Sequence, residues 1–323
     1  MGNLTYILLV VGFILLIKGA GYFVDGASAI AGKLHISPMI VGLTIVSLGT
    51  SAPEAVVSII AALEGNGDMV IGNVIGSNII NISLMLGITV LVSPIIVQKD
   101  TQIREIPYSL IAAVLVLIFM SDRLLFSAEA SAIGRIDGII LLAGIALFLY
   151  YTFVKARRTR ESTMDDEAKA AGNDSSWTKN IALFVIGLAG IVFGGDLVVD
   201  SASSIALSLG MSQALVGLTI VAIGTSLPEL TTSVSAAMKG EADMAFGNLI
   251  GSNIFNIMFV LGLSAVISPL GVSGSLFTDV WVLIFISAVL MIIALWKNQL
   301  SRITGGILVS MYIIYLVYII IRG

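Results

Sequence analysis

The sequence predicts an all-α membrane protein of about ten transmembrane helices in two inverted five-helix repeats, and three observations carry that prediction. Hydrophobic residues fill 58% and charged residues only 11% of the 323 positions, against roughly 25% charged in a soluble domain. Apolar runs long enough to cross about 30 Å of hydrocarbon recur along the whole length. Two polar motifs also return with unchanged spacing in the second half of the chain.

Between charged or Gly/Pro breaks, the spans are expected near 4–30, 37–63, 69–92, 107–121, 136–153, 181–207, 212–238, 244–268, 278–296 and 303–321. The first run has no basic stretch ahead of it and no small-residue cleavage pattern behind it, so it is read as a retained span rather than a leader. The long polar stretch from Lys155 to Lys179 divides the chain into a first repeat at 1–154, a linker at 155–179 and a second repeat at 180–323. With the linker inside, the inward loops hold Lys33, Lys99, Arg104, Lys155, Arg157, Arg158, Arg160, Lys169, Lys179, Lys239, Lys297 and Arg302, whereas the outward segments hold Arg123, Arg135 and Arg322. Cytoplasmic loops are enriched in Lys and Arg, so both termini are expected outside.

Gly-Thr-Ser-Ala-Pro-Glu at 49–54 returns as Gly-Thr-Ser-Leu-Pro-Glu at 224–229. Gly-Asn-Val-Ile-Gly-Ser-Asn-Ile-Ile-Asn at 72–81 returns as Gly-Asn-Leu-Ile-Gly-Ser-Asn-Ile-Phe-Asn at 247–256. The offset is 175 residues both from Glu54 to Glu229 and from Asn81 to Asn256, and it also joins Asp25 to Asp200, Asp68 to Asp243 and Pro94 to Pro269. Because each half has an odd number of spans, the second copy enters the membrane from the opposite side, which is the inverted-repeat framework of alternating access.

Glu54 and Glu229 fall inside spans, where a carboxylate costs at least roughly 2.5 kcal/mol and points to function. Pro53 and Pro228 should break each span near 49–52 and 224–227 and restart helix at the proline. The break frees carbonyl oxygens, which membrane depth tolerates where they line a cavity or are buried in protein. Thr50, Ser51, Thr225 and Ser226 stand three and four residues before the glutamates, so hydroxyl and carboxylate can share a face. Asn73, Ser77 and Asn81, and likewise Asn248, Ser252 and Asn256, form a polar stripe at spacing four. Gly72, Gly76, Gly247 and Gly251 should let those helices approach their neighbours closely.

The bland readings are a structural carboxylate for each Glu and interhelical hydrogen bonding for the Ser, Thr and Asn side chains. Span position, adjacent proline and duplication favour function for the glutamates; Asn73 and Asn248 are left outside the ligand set. Asp25, Asp196 and Asp200 are read as interfacial or capping groups, Lys18 as a snorkelling side chain and His35 as a surface residue. Asp165, Asp166 and Glu167 lack EF-hand spacing and belong to a solvated linker.

With no cysteine and one histidine, an ordinary zinc or iron centre and a thiol nucleophile are excluded, and no H-E-x-x-H motif marks an intramembrane enzyme. Two carboxylates among hydroxyl, amide and carbonyl oxygens suit a hard cation; Ca²⁺ takes six to eight such oxygens. One Ca²⁺ or two Na⁺ would neutralise two ionised glutamates, so the two ions can compete for one set of oxygens.

The doubled G-T-S-x-P-E and G-S-N-x-x-N segments resemble the alpha-repeats of the cation/Ca²⁺ exchangers, specifically the prokaryotic Na⁺/Ca²⁺ exchangers, over essentially all ten spans. The resemblance implies that Glu54 and Glu229 are the central ion ligands, surrounded by Thr50, Ser51, Ser77, Asn81, Thr225, Ser226, Ser252 and Asn256, with main-chain oxygen from Ser47 and Ala222. It implies an antiporter of the prokaryotic plasma membrane whose cargo is Ca²⁺ and Na⁺, with the lipid bilayer as its surroundings and no cofactor, nucleic acid or protein partner. Some relatives, among them K⁺-dependent exchangers, carry Asp where this chain has Asn256, and that departure argues against K⁺ co-transport. Electrogenic, K⁺-independent Na⁺/Ca²⁺ exchange is therefore expected; H⁺/Ca²⁺ antiport and K⁺-dependent Na⁺/Ca²⁺ exchange are the alternatives.

Overall fold

The computed structural model describes residues 3–121, 131–167, 176–210 and 222–322. Helix dominates because hydrocarbon offers backbone amides and carbonyls no partner but one another. The first repeat supplies α1 (Asn3–Leu34), α2 (Pro38–Thr50), α3 (Ala52–Leu63), α4 (Gly67–Val92), α5 (Thr101–Met120) and α6 (Arg135–Glu167). The second supplies α7 (Trp177–Ser208), α8 (Ala222–Thr225), α9 (Leu227–Met238), α10 (Ala242–Ile267), α11 (Gly274–Lys297) and α12 (Arg302–Arg322). Among the described residues eight helices are long and apolar enough to span a membrane, and the broken pair α2 and α3 makes a ninth. The first part of the expected seventh span, 211–221, lies outside the described residues.

Two boundaries differ from expectation. Helix α6 runs on to Glu167, through the start of the expected linker, because the chain from Ile145 to Ala171 contains neither Gly nor Pro and is rich in good helix formers. Helix α5 starts at Thr101 rather than near Pro107, with a π-helical turn at Thr101–Glu105 just ahead of the proline. That wide turn accommodates a residue without an N–H.

Among the described residues four two-residue strands join the helices: β1 (Ile95–Ile96), β2 (Ala132–Ile133), β3 (Leu270–Gly271) and β4 (Gln299–Leu300). They pair crosswise between the repeats, β1 with β4 and β2 with β3, both antiparallel.

The chain forms two compact units, one of residues 1–50 and 150–248, the other of 51–149 and 249–323. Each draws on both sequence repeats. In the first, α1 and α7, of 32 residues each and so about 48 Å long, pack antiparallel along a seam of glycines. A Cβ on Gly12 would lie 3.0 Å from the Gly194 carbonyl oxygen, one on Gly19 2.8 Å from the Gly190 carbonyl carbon, and one on Gly26 2.8 Å from the Asn180 oxygen. Heptad spacing of the glycines along α1 keeps them on one face, and backbone contact replaces side-chain interdigitation. Phe23 meets Phe184 at a 4.7 Å ring separation, and Lys33 lies 5.2 Å from the Trp177 ring centre. Lys239, just past the end of α9, donates to the Gly21 oxygen and to Asp25 Oδ1, both at 2.6 Å. Asp25 is thus an ion-pair partner rather than a cap.

Also in this unit, Gly42 of α2 and Gly247 of α10 meet face to face. A Cβ on Gly247 would lie 2.6 Å from the Met39 oxygen, and one on Gly42 would lie 3.0 Å from the Asn248 nitrogen. The expected close approach is realised here. Among the described residues a Cβ on Gly72 would come no nearer than 3.9 Å to another residue, and one on Gly76 would meet nothing within 4 Å; position 217, which the offset pairs with Gly42, lies outside the described residues.

The second unit repeats one contact twice. Gly87 of α4 packs on Gly305 of α12, and Gly262 of α10 packs on Gly138 of α6; Gly87 and Gly262 are separated by the same 175 residues as the glutamates. Asp279 of α11 receives two hydrogen bonds from the Arg322 guanidinium, at 2.9 and 3.1 Å.

Adjacent glycines on α12 provide a test. A Cβ on Gly305 would lie 2.7 Å from the Gly87 oxygen, whereas one on Gly306 would meet nothing within 4 Å among the described residues. Gly305→Ala is expected to cost about 1–3 kcal/mol through overpacking, and Gly306→Ala to be neutral or stabilising by about 0.5–1 kcal/mol. Thermal unfolding of the two purified variants in detergent measures the contrast.

Candidate ion-binding site

Helix α2 ends at Thr50 and α3 begins at Ala52, leaving Ser51 as the break; α8 ends at Thr225 and α9 begins at Leu227, leaving Ser226. The backbone is alike at both breaks, with φ, ψ of −82°, 6° at Ser51 and −93°, 6° at Ser226. Each restart has its proline in the first turn, where the missing N–H costs nothing. Serine at a helix N-cap ordinarily spends its hydroxyl on the backbone, but neither Ser51 nor Ser226 caps its helix. Glu54 and Glu229 occupy the first turns, 1% and 0% exposed. There the positive end of the helix dipole favours a carboxylate by typically 0.3–1 kcal/mol.

A clamp holds each restarted helix. In the first unit, Asn248 Nδ2 donates to Ser233 Oγ at 2.9 Å and to the Glu229 carbonyl at 3.4 Å. In the second, Asn73 Nδ2 donates to Ser58 Oγ at 2.9 Å and to the Glu54 carbonyl at 3.3 Å. Every pair of counterparts obeys the 175-residue offset. Thr50 Oγ1 also donates to Asn248 Oδ1 at 3.0 Å and lies 3.3 Å from the Ser47 carbonyl. Asn248 thus spends both its amide nitrogen and its amide oxygen on protein partners, and Asn73 its amide nitrogen. Ser58 and Ser233 escaped the sequence reading. Their position four residues after each glutamate, on its own helix face, together with the shared offset, would have found them.

The remaining candidates divide between the units. Thr50, Thr225, Ser226 and Glu229 belong to the first; Ser51, Glu54, Ser77, Asn81, Ser252 and Asn256 belong to the second. All are buried except Thr225, which is half-buried. Asn81 opens a π-helical turn, Asn81–Met85, and Asn256 lies in another, Phe255–Leu261. Such turns interrupt the regular carbonyl ladder and concentrate at functional sites.

Asn81 and Asn256 are wholly buried, and among the described residues neither amide oxygen nor amide nitrogen of either has a hydrogen-bond partner. An orphaned buried amide costs about 1–3 kcal/mol, and these two stand at repeat-related positions. Among the described residues no three His, Cys, Asp or Glu side chains group as metal ligands. A cation held here would therefore draw most of its oxygens from hydroxyls, amides and carbonyls, the hard donor set of Ca²⁺ and Na⁺.

A sequence profile of the sodium/calcium exchanger proteins matches residues 4–154 and 179–321, nearly the whole of both repeats. The chain belongs to the sodium/calcium exchanger family. It is 42% identical over 317 residues to the putative antiporter CaxA of Alkalimonas amylolytica, covering 96% of each chain. It is 35% identical over 348 residues to the sodium/calcium exchanger MaX1 of Methanosarcina acetivorans, covering 98% of this chain and 99% of that one. A solved structure of the sodium-calcium exchanger NCX_Mj, soaked with Na⁺ and Ca²⁺, superposes with a TM-score of 0.84 at 33% identity, covering 98% of this chain and 99% of the other. The exchanger is thus a multi-pass membrane antiporter of the cation/Ca²⁺ type rather than an enzyme.

The orphaned amides distinguish a binding role from a structural one. Asn81→Leu and Asn256→Leu replace a buried polar group that lacks a partner by an apolar one of similar size, so the cation-free melting temperature should hold or rise. The cation-dependent rise in melting temperature should shrink. A fall of more than about 5 °C without cation, roughly 1–2 kcal/mol for a chain of this size, would make the amides structural instead.

Proposed function

We propose that this exchanger is a secondary active antiporter that swaps Na⁺ for Ca²⁺ by alternating access, electrogenically and without K⁺. The observation that carries the reading is the pair of buried glutamates, each opening a restarted helix and each backed by an asparagine–serine clamp. Glu54 and Glu229 supply the two negative charges; Thr50, Ser51, Ser77, Asn81, Thr225, Ser226, Ser252 and Asn256 supply neutral oxygens. Two ionised carboxylates balance one Ca²⁺ or two Na⁺. A third Na⁺ gives the loaded carrier a net positive charge, worth about 2.3 kcal/mol per 100 mV of membrane potential.

Neutral Asn256 supports independence from K⁺, because the ligand set keeps two acids and gains no third. The uncharged hydroxyl and amide oxygens support Na⁺ over H⁺ as the coupling ion, since a proton needs only the carboxylates. The Lys and Arg distribution supports a prokaryotic plasma membrane location with both termini outside and the 155–179 segment in the cytoplasm.

Purified protein in liposomes tests the whole reading. Uptake of ⁴⁵Ca²⁺ should follow an outward Na⁺ gradient, ignore K⁺ and respond to an imposed voltage. Uptake driven by H⁺ alone would move the assignment to proton antiport, and uptake with no counter-gradient would make the protein a channel. Glu54→Gln and Glu229→Gln should each lower the Na⁺-driven flux by a factor on the order of 100 or more, the loss of one charged ligand in a buried site. Wild-type flux in either variant would remove that residue from the ligand set.

A further inference from the structure

The hydrogen-bond polarity around Asn248 carries a consequence for its neighbour Thr50. The Glu229 carbonyl can only accept, so the Asn248 atom facing it must be the NH₂ group. That assignment turns Oδ1 towards Thr50, and because Oδ1 can only accept, the Thr50 hydroxyl must donate. The acceptors within reach of the single Thr50 proton include Asn248 Oδ1 at 3.0 Å and the Ser47 carbonyl at 3.3 Å. The nearer amide oxygen takes it. Thr50 Oγ1 then offers only lone pairs to any other group, and the Ser47 carbonyl is spared from serving as the proton's acceptor.

We propose that Asn248 is a positioning residue that aligns the proposed cation ligands without touching the ion: it draws off the Thr50 proton so that Thr50 Oγ1 and the Ser47 carbonyl both present lone pairs. The inference rests on the ion-site reading above. Asn248 is fully buried and every polar atom of its side chain is bonded to protein, so its amide is fixed before an ion arrives. A hydroxyl free to rotate would pay for orientation on each binding event, whereas this one is oriented in advance, the economy that preorganised sites exploit. The Gly42–Gly247 contact makes the arrangement possible, since a side chain at either position would drive α2 off the start of α10 and lengthen the Thr50–Asn248 bond.

The test is a double-mutant cycle read by cation binding rather than by flux: thermal shift of the purified full-length protein, titrated with Ca²⁺ and separately with Na⁺. Thr50→Val and Asn248→Leu should each raise the apparent Kd for Ca²⁺ on the order of tenfold, and the double variant should be no weaker than about twice the weaker single. Ser233→Ala touches only the NH₂ side of the clamp and should shift Kd less than threefold. If the double variant shows the product of the two single effects, or if Ser233→Ala matches Asn248→Leu, Asn248 acts by holding α9 and the inference falls. Should Asn248→Leu fail to fold, Asn248→Ala takes its place in the cycle with the same criteria. A wild-type protein whose melting temperature responds to neither ion would overturn the ion-site reading and this inference with it. A normal wild-type response with an additive cycle would overturn this inference alone.

Discussion

A carboxylate that cannot reach water must be compensated where it stands, and the local structure at Glu54 and Glu229 follows from that constraint. Burying an ionised carboxylate costs several kcal/mol. The dipole of a restarted helix returns at most about 2 kcal/mol of it, so the break at the proline is necessary but insufficient. Hydroxyl and amide groups gathered around each first turn narrow the gap, and Ser51 and Ser226 leave their helices uncapped in the process. In the proposed ion site a bound cation fills the remaining shortfall, and a site whose stability depends on an exchangeable occupant suits a carrier better than a structural element.

Close backbone approach is the second necessity. Ligand oxygens on different helices can be fixed to within tenths of an ångström only if the helices themselves cannot slide apart. Glycine seams achieve this where hydrophobic driving force between spans is absent. Gly42 on Gly247 registers Thr50 against Asn248; Gly87 on Gly305 and Gly262 on Gly138 fasten the third membrane span of each repeat to the last of the other. The strand pairs β1–β4 and β2–β3 add the same crosswise exchange at the helix ends.

Much of this was legible in the sequence because membrane burial and duplication are both one-dimensional patterns. Helix positions followed from apolar runs, and the breaks at Ser51 and Ser226 followed from Pro53 and Pro228, since a proline acts on its own neighbours. What stayed hidden was set by partners distant in the chain. Asn248 reads as one more polar residue on a stripe; that its oxygen faces Thr50 depends on a partner 198 positions away in the chain. Gly76 satisfies the small-residue rule as well as Gly247 does, yet among the described residues only Gly247 of the two meets a backbone.

The same offset that matches Glu54 with Glu229 also matches residues that are not alike. Lys239 corresponds to Glu64, Asp25 to Asp200 and Gly21 to Asp196. Where Lys239 of the second repeat bridges Asp25 and the Gly21 carbonyl of the first, the counterpart positions hold three acids. Two perfectly equal halves would make the two faces of a carrier isoenergetic, leaving the ion gradients alone to decide where it rests. In a carrier of the proposed kind, unequal charge at matched positions is a route to a resting bias set outside the proposed ligand shell, adjustable by evolution without altering what the site binds.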